Sequence, residues 1–175
     1  MDVSSVVEQV QQVAAVRAAD SAERESLEAA LRDVGRLESW LAGTKAALTS
    51  ALSAHVSFPE KTIAECTRGT TRDAINDKAR ADTLEASPSL AGALDSAAIT
   101  AGHVDAFTKA TKPLDADQRA ELFDRLDTRL LDVAAVATVE EWRRRLAVEV
   151  KNIQRDDGID RLERQQRATS LRTWT

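Results

Sequence analysis

Residues 27–56, LEAALRDVGRLESWLAGTKAALTSALSAHV, decide the fold. Leu27, Leu31, Val34, Leu37, Leu41, Leu48, Leu52 and Val56 step by threes and fours for about eight turns along one stripe, a period that fits a helix and not a strand. Trp40 broadens the stripe beside Leu41. Gly35 and Gly43 either admit a neighbouring helix or simply weaken this one. The stretch reads as a long scaffold helix, with Leu31, Leu37, Leu41, Leu48 and Leu52 turned into the core.

Working outward, Val3, Val6, Val7, Val10, Val13 and Val16 make a short amphipathic helix ahead of it. Asp20, with Glu23 three residues on, can cap the scaffold helix. Downstream the start signals follow quickly: Ser57 with Glu60 around Phe58-Pro59, Thr70 with Asp73, Ser87 before Pro88, Thr100, Asp115 with Gln118, and Thr138 with Glu141. They predict helices near 58–67, 70–86, 88–97, 100–111, 115–136, 138–155 and 159–170. Ile63, Ala64, Leu94, Val104 and Phe107 hold the inward phase of the short helices; Leu122, Leu126, Leu130, Trp142 and Leu146 hold that of the later ones. Trp142 is expected to pack against the 115–136 helix while Arg143, Arg144 and Arg145 turn outward. The expected fold is all-α, one helical domain over 1–175. It comprises a scaffold at 1–57, a cluster of short helices at 58–112, and C-terminal helices at 113–175 ending in a basic tail.

Composition supports this. In 175 residues there are thirty-one Ala, six Gly and three Pro, so helix breakers are scarce and an all-β fold is excluded. With 43% hydrophobic content the chain can build a core and is no disordered tail. Tyr is absent and only three Phe and three Trp are present, which leaves few flat faces for stacking bases or sugars. The formal charge of -5 excludes a generally cationic nucleic-acid binder, so any such contact must come from a local patch. The lone Cys66 excludes an intramolecular disulfide and a multi-cysteine zinc site. It reads as a small buried hydrophobe in a reducing cytoplasm. No run approaches the roughly twenty apolar residues of a membrane span, so no membrane partner is expected.

Little in the chain promises chemistry. His55 and His103 stand 48 residues apart, and neither has a ligating neighbour at helical spacing. His103, one turn after Thr100, reads as a polar cap or surface position. Glu140-Glu141 and Asp156-Asp157 are adjacent pairs, which point apart on a helix. There is no phosphate-cradling Gly loop. We therefore expect no catalytic residue, no metal and no cofactor.

The stronger pattern is the short helix, tight turn and second helix over 58–86. A helix-turn-helix needs small and apolar residues inward on its first helix, a short turn often holding Gly, and a second helix opening on polar residues that reach base edges. Ile63 and Ala64, then Thr67-Arg68-Gly69, then Thr70-Thr71-Arg72-Asp73-Ala74-Ile75-Asn76 supply these. Arg72, Asn76 and Arg80 recur at i, i+4 and i+8, and Arg and Asn can contact guanine and adenine. Asp73, Asp77, Asp82 and Glu85 argue the other way, because phosphates repel them. A plain helical hairpin fits the same residues.

Two segments also carry a family likeness. The first is Thr62-Ile63-Ala64-Glu65-Cys66-Thr67-Arg68-Gly69-Thr70-Thr71-Arg72-Asp73-Ala74, running on through Leu84–Leu90, Ala93-Leu94, Ile99-Thr100 and His103-Val104. The second is the tail: Asp157-Gly158, Glu163-Arg164-Gln165, Arg167 and Leu171-Arg172-Thr173-Trp174-Thr175. In this order they resemble the domain of unknown function 222 family, typical of actinobacterial proteins with a C-terminal HNH endonuclease domain. Residues 62–107 are also distantly similar to the helix-turn-helix of chromosome-partitioning proteins. The likeness implies a helical accessory domain, expected to be the amino-terminal part of a longer protein; a natural protein without the nuclease would leave the same sequence. The chain departs from the family pattern where Arg68-Gly69 stands for Gly-Leu, and where Asp73, Asn76, Asp77 and Lys78 occupy an otherwise Arg-rich helix.

Three functions follow as expectations. The first is a non-catalytic accessory domain of an HNH endonuclease-type protein that positions double-stranded DNA through Thr70, Thr71, Arg72, Asn76 and Arg80, helped by Arg161, Arg164, Arg167 and Arg172 of the tail. The second is a protein-interaction or oligomerisation module that seats a partner, or another copy of itself, on the 27–56 helix. The third is a transcriptional regulator using the same helix-turn-helix as a dimer.

Overall fold

The computed structural model describes the backbone of residues 2–172 and the side chains of residues 2–156, 162 and 166. It is 83% helical, with no strand among the described residues. The chain divides into two compact units, Met1–Thr108 and Lys109–Thr175. No helix among the described residues is long and apolar enough to cross a membrane.

The first unit begins with α1 (Val3–Ala18), whose first turn is held by Asp2 accepting the Ser5 N–H at 2.8 Å. α1 packs along α2 (Arg24–Ser53), yet none of its own residues is buried. α2 is the expected scaffold helix, but it faces the core with small side chains: Ala30, Ser39, Ala46 and Thr49 are its buried residues. Leu31, Leu41 and Leu48, expected inside, are exposed, while Leu37 and Leu52 are only partly covered. The physical reason is close approach. α4 and α5 lie against α2, and a Cβ on Gly43 would collide with the Asp95 carboxylate. Helices this near leave no room for leucine between them. Gly35, by contrast, has open space around it.

α3 (Pro59–Thr67) starts on Pro59 at its first turn and has no side-chain cap, so the expected Ser57–Glu60 box does not form. The Asp20–Glu23 box is likewise absent, because α2 starts at Arg24 with Glu23 itself as the capping residue. The other signals hold. α4 (Thr71–Ala86) opens on a reciprocal Thr70–Asp73 box, and α5 (Pro88–Asp95) on Ser87, whose Oγ accepts the Leu90 N–H at 3.3 Å. α6 (Ala101–Thr111) opens on Thr100, whose N–H donates to Nδ1 of the buried His103 at 3.3 Å. The imidazole thus does the work of a capping carboxylate. Ile63, Leu90, Leu94, Ile99, Val104 and Phe107 form the core, and Ala64 is partly covered. Cys66, expected inside, is exposed at the end of α3.

The second unit opens on α7 (Ala116–Arg125), capped by a reciprocal Asp115–Gln118 box. The expected helix over 115–136 is interrupted by a π turn, Leu126–Leu130, before α8 (Leu131–Val136). Leu122, Leu126, Leu130 and Ala134 are all buried at steps of four. In an unbroken α-helix that step drifts around the axis, and the wider π turn keeps the set on one face. α9 (Val139–Arg172) begins at the expected Thr138–Glu141 pair. It runs on as one helix where two were expected, for a single Gly158 costs a helix only about 1 kcal/mol. Trp142, Leu146 and Ile153 are buried along α9, which packs on α7 and α8 as expected.

Candidate functional site

The helix-turn-helix segment forms locally as its residues dictate. Thr67 Oγ1 donates back to the Ile63 carbonyl at 2.8 Å, closing α3. Arg68 takes the left-handed conformation at φ 53° that ends the helix, and two residues later Thr70 starts α4. Thr70 is therefore committed to its own backbone: Oγ1 accepts the Asp73 N–H at 3.1 Å and donates to Asp73 Oδ2 at 2.7 Å. The hydroxyl bond, then the Thr70 N–H, holds the Asp73 carboxyl below its ordinary range. An ionised carboxylate thus occupies the helix N-terminus, the position a DNA phosphate would take.

Along α4 the expected reading face does not assemble. Thr71, Arg72 and Asn76 are exposed. Arg80 is not available beside them. Its Nε and Nη2 grip Asp105 of α6 at 2.7 and 2.8 Å, and Nη1 lies 3.2 Å from Asp77 Oδ1. The Asp105 hydrogen bonds raise the guanidinium above its ordinary value. Arg80 is a tie between α4 and α6, which corrects its assignment to a DNA-facing row. The cause is rotation: from Arg72 to Asn76 to Arg80 the i, i+4 steps turn toward the buried flank that holds Asp77, Ala81 and Leu84. Lys78 is bound to Asp82 at 2.8 Å, and Lys45 of α2 reaches Asp77 at 2.5 Å. The first unit carries ten Lys and Arg against sixteen Asp and Glu, so its field repels phosphate. Arg161, Arg164, Arg167 and Arg172 of the basic tail have side chains outside the described residues. Arg143 and Arg144, exposed as expected, both pair with Glu140.

A polar cluster in the second unit was not anticipated. Glu149 is buried on the same face as Trp142, Leu146 and Ile153; it accepts hydrogen bonds from Arg125 at 2.9 Å and Arg129 at 2.7 Å and pairs with the Arg145 guanidinium at 3.0 Å. Burial alone would lower the Arg125 value, but its hydrogen bonds to Glu149 and Glu121 outweigh that and leave it raised. The signal in the sequence was a carboxylate at the apolar phase 142, 146, 149, 153. The π turn helps here too, since Arg125 precedes it, Arg129 lies within it, and both reach one carboxylate. This network is satisfied within the unit and has the form of a structural clasp.

No cluster of three metal-ligating side chains occurs among the described residues. A groove of about 270 Å³ lies between α2, α4 and α5, walled mainly by Ala46, Ala47, Ala81, Leu84 and Ala91, where Ser50 donates to Glu85 at 2.6 Å. A run of exposed apolar side chains lies instead along the outer stripe of α2. Leu27, Leu31, Leu41 and Leu48 are 47%, 70%, 56% and 67% exposed. Val3, Val7 and Val10 of α1 are exposed as well. Isolated exposed leucines are ordinary, but four on one stripe beside an amphipathic helix with no buried residue make a patch.

No protein-family model, no curated protein and no solved structure matched the chain.

Proposed function

We propose that this chain is a non-catalytic helical interaction module whose working surface is the apolar outer stripe of α2, extended by α1. The observation that carries the reading is the exposure of Leu27, Leu31, Leu41 and Leu48 on a helix whose opposite side carries the buried Ser39 and Ala46. Burying such side chains against a partner is favourable at roughly 25 cal/mol per Å², and the net acidity of the first unit suits a protein surface better than a phosphate backbone. The likeness to the domain of unknown function 222 family suggests the setting: an accessory domain beside an HNH-type nuclease domain, in a reducing cytoplasm where Cys66 stays a thiol. In this reading any positioning of DNA by the larger protein is indirect, because Arg80 and Thr70 are committed within the chain.

The test is to change Leu27, Leu31, Leu41 and Leu48 together to Gln and measure chemical denaturation at a dilution where sedimentation gives a single-chain mass. Residues on a docking face should leave the helical signal intact and stability within about 2 kcal/mol of the unmodified chain. If the leucines served the chain's own core, their combined loss would cost on the order of 8 kcal/mol or more, and the proposal would fall.

A further inference from the structure

On the side of α2 opposite its leucine stripe, the groove between α2, α4 and α5 is lined by short apolar side chains with a carboxylate toward each end. Ala46, Ala47, Ala81, Leu84 and Ala91 make its floor and walls. One end is marked by Glu85 of α4, whose Oε2 accepts from Ser50 Oγ of α2 at 2.6 Å. The other is marked by Asp95 of α5, whose carboxylate lies so near Gly43 of α2 that a Cβ there would collide with it. Two carboxylates from two different helices are thus each seated against the same third helix. Ser50 and Gly43 are seven residues apart on α2, which spaces the two acidic ends by about 10 Å along the groove.

We infer that this groove is a binding site for a linear aliphatic diamine, with one ammonium at Glu85, the other at Asp95, and the methylene chain lying along the alanines. Charge, length and size each support that occupant. The Ser50 hydroxyl fills only one of about four acceptor positions on the Glu85 carboxylate, so it fixes the group against α2 and leaves it able to accept from an ammonium. Lys78, whose field reaches Glu85, is itself bound to Asp82 at 2.8 Å. A chain of about four to six methylenes holds its two nitrogens about 6–9 Å apart. With each ammonium about 2.8 Å from a carboxylate oxygen, such a chain bridges the acidic ends. The groove volume of about 270 Å³ lies just below the range of about 300–1,000 Å³ for drug-sized ligands, which suits a smaller molecule. A lysine side chain of a partner protein would supply a single ammonium and leave the second carboxylate unmatched. The first unit, with ten Lys and Arg against sixteen Asp and Glu, draws a dication toward the site and repels anions. This site lies apart from the leucine stripe and does not depend on the interaction reading above.

The experiment titrates the full chain, labelled with nitrogen-15, with diaminopentane in low-salt buffer while the amide signals of Gly43, Ala47, Ser50, Glu85 and Ala91 are followed by NMR. The expected result is saturable shifts at these positions with half-saturation near about 1 mM, the affinity of a small, half-open site. Aminopentane has the same chain with one ammonium, and diaminoethane has both ammoniums on a chain too short to span the groove. Each should bind about fivefold more weakly or worse, as should diaminopentane to Glu85→Gln or to Asp95→Asn. Ala47→Leu should abolish the saturable shifts by filling the groove. Ala47 is exposed and leucine is a strong helix former, so this variant keeps its fold, which a helical circular-dichroism signal checks. Glu38→Gln makes the same charge change at an exposed position away from the groove and should leave binding as it was. Shifts that do not saturate by about 50 mM, or equal binding of aminopentane or diaminoethane, would overturn the proposal. So would equal losses in Glu38→Gln and Glu85→Gln, which would assign the effect to the acidity of the whole unit. Unchanged binding in Ala47→Leu would overturn it independently of the carboxylate variants.

Discussion

Replacing Arg80 by Ala should destabilise the first unit by about 2–2.5 kcal/mol, and the structure supplies each part of that figure. The Arg80 side chain is 14% exposed and Asp105 is 42% exposed, so the pair lies between a surface bridge, worth about 0.2–1 kcal/mol, and a buried one whose disruption costs about 3–5 kcal/mol. Its two parallel bonds, at 2.7 and 2.8 Å, put it above a single-point contact. Discounted for the water that reaches Asp105, the pair contributes about 1–1.5 kcal/mol. Truncation also removes a largely covered methylene stem, worth about 1 kcal/mol. Asp77 is not orphaned, because Lys45 remains bound to it. The thermal midpoint should fall by about 8–12 °C if the unit unfolds on its own. A double-mutant cycle with Asp105→Ala isolates the coupling, expected at about 1–1.5 kcal/mol. Arg80→Lys should recover only part of it, because an ammonium cannot reproduce the fork. A midpoint within about 2 °C of the unmodified chain, combined with weakened DNA binding, would refute the structural assignment and return Arg80 to a nucleic-acid face.

The clasp around Glu149 gives a second expectation: Glu149→Ala should cost about 3 kcal/mol in chemical denaturation, and Glu149→Gln clearly less, because it keeps shape and one acceptor. Arg125 retains Glu121, and Arg129 and Arg145 are half exposed, which holds the loss near the lower end for a broken buried pair. Gly35→Ala should stabilise the chain by about 0.5–1 kcal/mol, since a helical position with open space gains from a Cβ; destabilisation in a thermal melt would show that Gly35 meets something the single chain does not. Acid should loosen the starts of α4 and α9. Asp73 and Glu141 are held below their ordinary values, Asp73 by the Thr70 hydroxyl and N–H and Glu141 by the Thr138 N–H and hydroxyl. Their stabilisation is present above the unfolded value near pH 4 and lost as pH falls through the lower folded one. Asp73→Asn with Glu141→Gln should flatten the acid limb of stability against pH, and an unchanged limb would contradict this.

Local signals explain which parts of the fold were legible. The boxes at Thr70–Asp73, Asp115–Gln118 and Thr138–Glu141 and the Ser87-Pro88 start all formed, because a cap needs only neighbours in sequence. The Asp20–Glu23 and Ser57–Glu60 signals did not form. Their segments start instead at Arg24 and at Pro59, where a proline ring presets the first turn without any side-chain bond. Arg80 and Glu149 could not be placed from spacing alone. Their partners, Asp105 and the Arg125–Arg129 pair, lie 25 and at least 20 residues away, so their roles depend on which helices pack together.

The leucine stripe of α2 shows the limit most clearly, and also what can be recovered past it. Periodicity establishes that Leu27, Leu31, Leu41 and Leu48 share a face, but burial is a property of the neighbour and not of the period. Here the neighbours within the chain, α4 and α5, approach along the small-residue flank through Ala46, Thr49 and Gly43. The leucines are left on the outside. A single helix has thus become two-sided: a close-packed flank that builds the unit, and an apolar edge that the unit leaves uncovered. Lys45 marks the border between them, because its ammonium reaches from α2 to the buried Asp77 of α4. Lys45→Ala should therefore destabilise the chain by about 1 kcal/mol in chemical denaturation, a figure discounted for the water that reaches the ammonium. An unchanged midpoint would show that Arg80 alone keeps Asp77 satisfied, and that α2 and α4 are held together by their close-packed small residues without help from this bridge.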